Sequence, residues 1–421
     1  MSIEIRTYPL RTSNVYYGGE EVSGFLLVKG PLNIADATVK VTFRGGSEAV
    51  QVIRNRELKD KQIFFSTTQV IFEGTLDLQQ DNSQTIPFKF TLPETTAAWG
   101  QQKIKLSPKK DLYAQEPHLL PPSLALSGGF PHGWSVHILY CLEAEVDGKF
   151  AMRELRGRRK ITGAIAVVPS PYETKYLLDH ADTQSDAVQS KKVTHISSRL
   201  LEGNTDKRRS MSTWFSDKFA SSSPKAVFSF TARTATTLSA GQDIPIQITL
   251  NYDEKASNLP SIPTFTLLEL KYKIKAITNL VSRGTLAPDM YIEDHTSVFK
   301  RQFRFAQMTL TNGQPVDIGY IDTERGGLRY VALDAALVSP FMSYNVSRRY
   351  YAEVEMVFEC GGKKMTAKFG WPKIDIVYNE SYHSKAGDAP ADKDGSLQGA
   401  VGVARVLGAT ALIVATILGG G

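Results

Sequence analysis

Tyr16-Tyr17-Gly18-Gly19-Glu20-Glu21-Val22-Ser23-Gly24-Phe25-Leu26-Leu27-Val28 opens the first readable element of the chain, and Pro31-Leu32-Asn33-Ile34-Ala35-Asp36-Ala37-Thr38-Val39-Lys40-Val41-Thr42-Phe43-Arg44-Gly45 follows it. The pair reads as a glycine turn, a strand, a short connection and a second strand. In the second strand Val39, Val41 and Phe43 share one face, and Lys40, Thr42 and Arg44 share the other. A period of two with one apolar side marks a sheet buried on one face only.

The same period recurs outward along the first half. Ile86, Phe88, Phe90 and Leu92 alternate with polar residues or proline. Val136, Ile138, Tyr140, Leu142, Ala144 and Val146 alternate with His137, Leu139, Cys141, Glu143 and Glu145. The half closes on Lys160-Ile161-Thr162-Gly163-Ala164-Ile165-Ala166-Val167-Val168-Pro169, where proline ends the strand. From about Ser170 to Pro224 the alternation lapses into Ser, Asp, Gln and Lys, which predicts a linker or long mobile loop. It resumes near Phe228, with Ile244, Ile246, Ile248 and Leu250 on one face. Leu268, Leu270, Tyr272, Ile274 and Ala276 form a second stripe, and Ala352, Val354, Met356, Phe358 and Cys360 a third. No stretch shows the spacing of an amphipathic helix. Many short strands punctuated by Gly and Pro predict an all-β chain of two tandem immunoglobulin-like β-sandwiches. The expected divisions are a first sandwich over 1–169, a linker over 170–224, a second sandwich over 225–378 and a tail over 379–421.

Bulk properties fit this picture. At 421 residues the chain is long enough for two large β domains, and 42% hydrophobic with 22% charged residues is ordinary for globular proteins. Forty-nine Lys and Arg against 43 Asp and Glu is a modest excess. It forms no single basic stripe of the kind that nucleic-acid binders carry, though it suits contact with an anionic membrane surface. Cys141 and Cys360 lie in strand-like runs of different halves and read as two buried free thiols. Met1-Ser2-Ile3-Glu4-Ile5-Arg6 has no apolar signal-peptide core, so the expected location is cytoplasmic. Asn345-Val346-Ser347 and Asn379-Glu380-Ser381 are then chance matches to the glycosylation triplet.

Three segments carry a resemblance. Tyr17-Gly18-Gly19-Glu20-Glu21-Val22-Ser23-Gly24 has the form Tyr-x-Gly-Glu-x-Val-x-Gly. Leu120-Pro121-Pro122-Ser123 precedes a strand centred on Tyr140. Tyr350-Tyr351-Ala352-Glu353-Val354, Cys360, Phe369-Gly370-Trp371-Pro372 and Ile374 stand in the order of closing strands. Over roughly residues 1–378 the chain resembles the arrestin-like proteins, and among them the α-arrestins of fungi. The resemblance implies a non-enzymatic cytosolic adaptor. Such an adaptor binds cytoplasmic segments of membrane transporters or receptors and directs their endocytosis, sorting or ubiquitination, peripherally at the plasma membrane or endosomes. It also implies a HECT ubiquitin ligase as partner, but Pro-Pro-x-Tyr is absent: Pro121-Pro122-Ser123-Leu124 lacks the Tyr, and Pro169-Ser170-Pro171-Tyr172 has the wrong register. The alternative is a structural coat subunit like the arrestin-fold component of retromer.

The residues themselves offer no catalytic constellation. There is no HExxH, no GxSxG elbow, no phosphate-binding glycine loop and no Cys/His cluster with metal-ligand spacing, so neither metal nor cofactor is expected. Arg156-Gly157-Arg158-Arg159-Lys160 is a basic cluster just ahead of the last first-half strand. It reads either as a grip for phosphate on a receptor tail or lipid, since the planar guanidinium holds phosphate oxygens in pairs, or as a solvated turn. Lys207-Arg208-Arg209-Ser210-Met211-Ser212 places Arg at the positions a basophilic kinase reads, which makes Ser210 and Ser212 phosphorylation candidates and 14-3-3 proteins candidate partners. From Gly399 to Leu418 the only charge is Arg405; Val406, Leu407, Leu412, Ile413, Val414, Ile417 and Leu418 make an apolar run. Val406 to Leu418 is shorter than the roughly 20 residues that a bilayer span needs. The run reads as a weak membrane anchor, as a segment packed on the protein, or as a disordered end.

Overall fold

The computed structural model describes residues 2–8, 15–30, 33–53, 56–78, 83–97, 117–128, 133–150, 156–168, 187–197, 200, 223–239, 244–282, 290–318 and 339–377. Every regular element among them is a strand, apart from a single helical turn residue at Leu200. In the first half these are β1 (Ser2–Thr7), β2 (Val15–Tyr16), β3 (Glu21–Lys29), β4 (Ile34–Ile53), β5 (Arg56–Leu76), β6 (Ser83–Thr91), β7 (Leu124–Gly128), β8 (Trp134–Phe150) and β9 (Arg156–Val167). In the second they are β10 (Ala187–Ile196), β11 (Lys225–Thr234), β12 (Thr237–Ser239), β13 (Ile246–Tyr252), β14 (Phe265–Ser282), β15 (Met290–Leu310), β16 (Pro315–Asp317), β17 (Phe341–Met342), β18 (Val346–Cys360) and β19 (Lys363–Val377).

They build four sheets. The first half contributes a three-stranded sheet ordered β1-β3-β6 and a six-stranded one ordered β2-β9-β8-β4-β5, with β7 on β8. The second contributes a four-stranded sheet ordered β10-β11-β13-β16 and a six-stranded one ordered β12-β19-β18-β14-β15, with β17 on β18. One apolar cluster draws on both first-half sheets: Val22, Leu26 and Phe90 from one, Val39, Val41, Phe43, Val136, Ile138 and Val146 from the other. A second cluster joins Phe228, Phe230, Ile248 and Leu250 to Phe265, Tyr272, Val354, Phe358 and Trp371. The chain is therefore an all-β protein of the sandwich type, its alternating apolar residues facing inward between sheets.

The opening motif is accounted for residue by residue. Gly19 has φ of 83°, the left-handed turn that a side chain would strain. The Tyr17 amide donates to the Glu20 carboxylate at 2.8 Å, which closes the turn. Val22 is fully buried in the first core. At Gly24 a Cβ would lie 2.1 Å from the Arg6 carbonyl oxygen, so only glycine lets β1 pair there. The Leu-Pro-Pro-Ser segment is equally local. The Tyr140 hydroxyl donates to the Pro121 carbonyl at 2.6 Å. The Ser123 amide donates to the Val167 carbonyl at 2.8 Å, and the Ser123 hydroxyl accepts from the Val167 amide at 2.9 Å. The segment thus ties β8 to the end of β9.

Two expectations need correction. The expected linker over 170–224 contains β10, which pairs antiparallel with β11 from Ala187↔Thr234 to Ile196↔Lys225. Its inward positions include Gln189, Val193, His195 and Ser197, so the buried side is largely polar and hides the alternation that an apolar face would show. The Gln189 carboxamide compensates by hydrogen bonding both ways with the backbone of Gly370 on β19; the Gly370 amide donates to it at 2.9 Å. Apart from β10, only Ser197, Leu200, Ser223 and Pro224 of 170–224 are among the described residues. Leu268 also departs from the expected stripe. A bulge shifts register between Leu267 and Glu269, so Leu267 and Leu270 face the core while Leu268 stays half-buried.

The halves are joined by a seam. Leu280, Tyr344 and Val346 of the second half belong to the first-half cluster. Phe64, the extra residue of a bulge in β5, turns inward and meets the rings of Tyr140, Tyr344 and His118. The Ser47 hydroxyl donates to Asn345 Oδ1 at 2.6 Å, and Asn345 Nδ2 donates to the Asp60 carbonyl at 3.1 Å. Tyr344 Oη lies 2.9 Å from Thr96 Oγ1 and donates to the Ala97 carbonyl at 3.1 Å. Burial of Asn345 also closes the first glycosylation triplet to a transferase.

Candidate functional site

The basic run Arg156-Gly157-Arg158-Arg159-Lys160 lies inside a strand, where the sequence reading places it just ahead of one. β9 starts at Arg156 and pairs antiparallel with β8 as Arg156↔Lys149, Arg158↔Asp147, Arg159↔Val146 and Lys160↔Glu145. Pleating divides the run. Arg156, Arg158 and Lys160 take register positions on the outer face, beside Lys149, Asp147 and Glu145, and Arg159 takes one on the opposite face beside buried Val146. Arg159 and Lys160 are exposed.

Acidic residues on β8 temper this charge. Lys160 Nζ is 2.5 Å from Glu143 Oε1, and Arg44 Nη2 on β4 is 2.9 Å from Glu143 Oε2, so one carboxylate bridges two cations across three strands. Lys149 Nζ lies 2.6 Å from Asp36, the one described non-glycine residue with positive φ, at 50°. Cys141 sits beside Arg44 under this network. Burial pushes its thiol up, and the neighbouring guanidinium only partly opposes that.

The position of β9 in its sheet matters more than its net charge. Among the described residues only β2 pairs with its outer side, in parallel, at Ala166 and Val167. Among the described residues the backbone from Arg156 to Ile165 has no other strand partner on that side. Its inner flank is lined in part by β1: a Cβ on Gly163 would sit 3.7 Å from Ile5, an ordinary contact. Cationic residues and unpaired main-chain groups therefore run along the same ten-residue line. The outer face of the second half carries a comparable network of paired charges. Lys271 bridges Glu269 at 2.6 Å and Glu355 at 3.5 Å; Lys368 holds Glu355 at 2.9 Å and, by that hydrogen bond first, keeps its carboxyl below the usual range.

Cys141 and Cys360 are both free and buried, as expected. Burial pushes the Cys360 thiol to about 12. Among the described residues no group of three or more His, Cys, Asp or Glu is placed to hold a metal, and no helix is long and apolar enough to cross a membrane. Ser210 and Ser212 lie outside the described residues. So does the whole tail segment with Arg405, Val406, Leu407, Leu412, Ile413, Val414, Ile417 and Leu418. What sequence reading missed is the edge itself. The run Arg156–Lys160 continues the alternation of Ile161 to Val167 backwards, but charge at every position except Gly157 conceals it.

No protein-family model matches this chain, and no curated protein does.

Proposed function

We propose that the chain is a non-enzymatic adaptor of the arrestin-like kind. It binds extended, acidic or phosphorylated cytoplasmic segments of membrane transporters or receptors and directs their endocytosis, sorting or ubiquitination. The observation that carries the reading is that the basic run lies on a sheet edge that no strand covers among the described residues. An extended peptide laid along β9 would pair its main chain with Arg156 to Ile165, and its acidic or phosphate groups would meet the cations beside them. Main-chain pairing supplies affinity that is indifferent to sequence; the cations supply selectivity and a faster encounter.

The acids on β8 fit this role. Glu143 is mostly buried but its partner Lys160 is exposed, so an arriving dianionic phosphate can compete for that lysine at a cost on the order of 1 kcal/mol. In this reading the adaptor works in the cytoplasm, peripherally at the plasma membrane or endosomes. A HECT ligase would reach it through another surface than Pro-Pro-x-Tyr.

Fluorescence polarisation with an acidic peptide, phosphorylated and not, tests the proposal. The phosphorylated form is expected to bind more tightly and to weaken with added salt, and Arg156→Glu/Arg158→Glu/Arg159→Glu is expected to abolish the difference. Equal binding by the triple variant at every salt concentration refutes it.

A further inference from the structure

The opposite edge of the same sheet has the reverse character. β5 ends the order β2-β9-β8-β4-β5, and among the described residues no strand pairs with its outer side. From Gln62 to Phe72 it reads Gln-Ile-Phe-Phe-Ser-Thr-Thr-Gln-Val-Ile-Phe, without charge, proline or glycine. Ser66, Thr67, Thr68, Gln69 and Val70 are all exposed, those on the core-side face included. Val70 is 51% exposed and Ile63 38%.

Free edges are normally guarded by charge, proline or short length. Other described edges follow that rule. β1 carries Glu4 and Arg6, β6 carries Pro87 and Lys89, and β10 carries Lys191 and Lys192. β15 carries Glu293, Asp294, Lys300 and Arg304, and β16 has Pro315 and Asp317 in only three residues. No other described edge leaves so long a run uncharged. Bulges at Phe64 and Ile71 interrupt the ladder with β4 and leave Phe65 to Val70 regular between them.

The geometry points to a second copy of this chain as the occupant: two β5 edges pair antiparallel over Ser66 to Val70 and join two six-stranded sheets into one. The occupant follows from self-complementarity. A two-fold axis normal to the sheet brings each residue against one of the same face. Centred at Thr68, it sets that threonine against its own copy, Ser66 against Val70 and Thr67 against Gln69, all of them exposed. Every pair so formed is uncharged. Cross-strand Thr–Thr and β-branched pairs are favourable, and identical edges bearing charge would repel each other. Between Gln62 and Phe72 an acidic or phosphorylated peptide has no cation to meet; the β5 cations Arg56, Lys59 and Lys61 all precede the run. The bulges confine the contact to five residues, and a closed two-fold pair uses both edges, so the assembly stops at two. So short a contact makes a weak dimer, at the low end of specific interfaces.

Sedimentation equilibrium of the full chain over a concentration series tests this, with Thr68→Lys and Thr68→Glu as variants. Residue 68 is exposed and on an edge, so either chain is expected to keep the native circular dichroism. The unaltered protein is expected to show a reversible monomer–dimer equilibrium. Each variant alone should dimerise at least about tenfold more weakly, through like charges brought face to face. An equimolar mixture of the two should recover the pairing as a heterodimer. An unaltered chain that stays monomeric throughout, natively folded variants that dimerise as well as it does, a mixture that fails to recover, or open-ended growth in place of a dimer would each overturn the inference.

Discussion

Replacing Asn345 by alanine tests the seam between the halves. Asn345 is fully buried, and its carboxamide is held by the Ser47 hydroxyl at 2.6 Å and the Asp60 carbonyl at 3.1 Å. The substitution removes two hydrogen bonds, one from the buried Ser47 hydroxyl and one from the Asp60 carbonyl, which stands in the β4–β5 ladder. With about 1–3 kcal/mol for the hydroxyl left unsatisfied and about 1 kcal/mol for the other bond, the expected cost is roughly 2–4 kcal/mol. Ser47→Ala breaks only the shorter bond and leaves Asn345 Oδ1 without that donor, so about 1–2 kcal/mol is expected. The double variant should fall short of the sum by roughly 0.5–2 kcal/mol, because the shared bond can be lost only once. Urea unfolding read by tryptophan fluorescence and circular dichroism measures all four proteins. Trp134 and Trp371 report from the two separate apolar clusters. If the seam holds the halves together, Asn345→Ala lowers the midpoint of the first-half signal, though residue 345 belongs to the second half. Additive single effects, or a first-half transition that does not move, would refute the contact as a source of stability.

Other outcomes follow from single positions. Gly24→Val is expected to detach β1 or block folding, since a Cβ there falls 2.1 Å from the Arg6 carbonyl; amide exchange over Ser2–Thr7 reads the loss. Both thiols should resist alkylation in the folded protein and react on unfolding. Because burial raises Cys360 from an ordinary 9.0 to about 12, its contribution to stability is complete below pH 9.0 and declines as pH rises through that interval, which urea midpoints across alkaline pH would record. Glu143→Gln frees Lys160 and Arg44 from a shared carboxylate. It should lower stability by roughly 1–2 kcal/mol, because Glu143 is mostly buried and holds two cations, while tightening binding of an acidic peptide a few-fold, measured by fluorescence polarisation.

How far the sequence discloses this molecule depends on what each strand buries. β4, β8 and β18 declare themselves, because every second residue is apolar and lies in a core: Val39, Val41 and Phe43; Val136 to Val146; Ala352 to Phe358. Gly19 and Gly24 are legible as turn and close approach once their neighbours are known. β10 escapes because His195 and Gln189, the latter held by the Gly370 backbone, take inward positions, and polar residues there leave no hydrophobic period. Bulges escape for another reason. One inserted residue at Phe64 or Leu268 changes the face of everything after it, and the cause lies in the partner strand. The seam was also invisible. Ser47 and Asn345 are distant in sequence, and each alone is an ordinary polar residue. At the candidate site the composition of Arg156–Lys160 was plain, but its place on an open edge depends on which strands pair.

Amide hydrogen exchange of the whole chain, with and without a saturating phosphorylated acidic peptide, bears most directly on the proposed adaptor role. The account predicts new protection along β9 between Arg156 and Ile165, weaker with the unphosphorylated peptide and absent after Arg156→Glu/Arg158→Glu/Arg159→Glu. Binding that leaves β9 exchanging as in the free protein, or protection that appears on a different edge and survives the triple substitution, would contradict it.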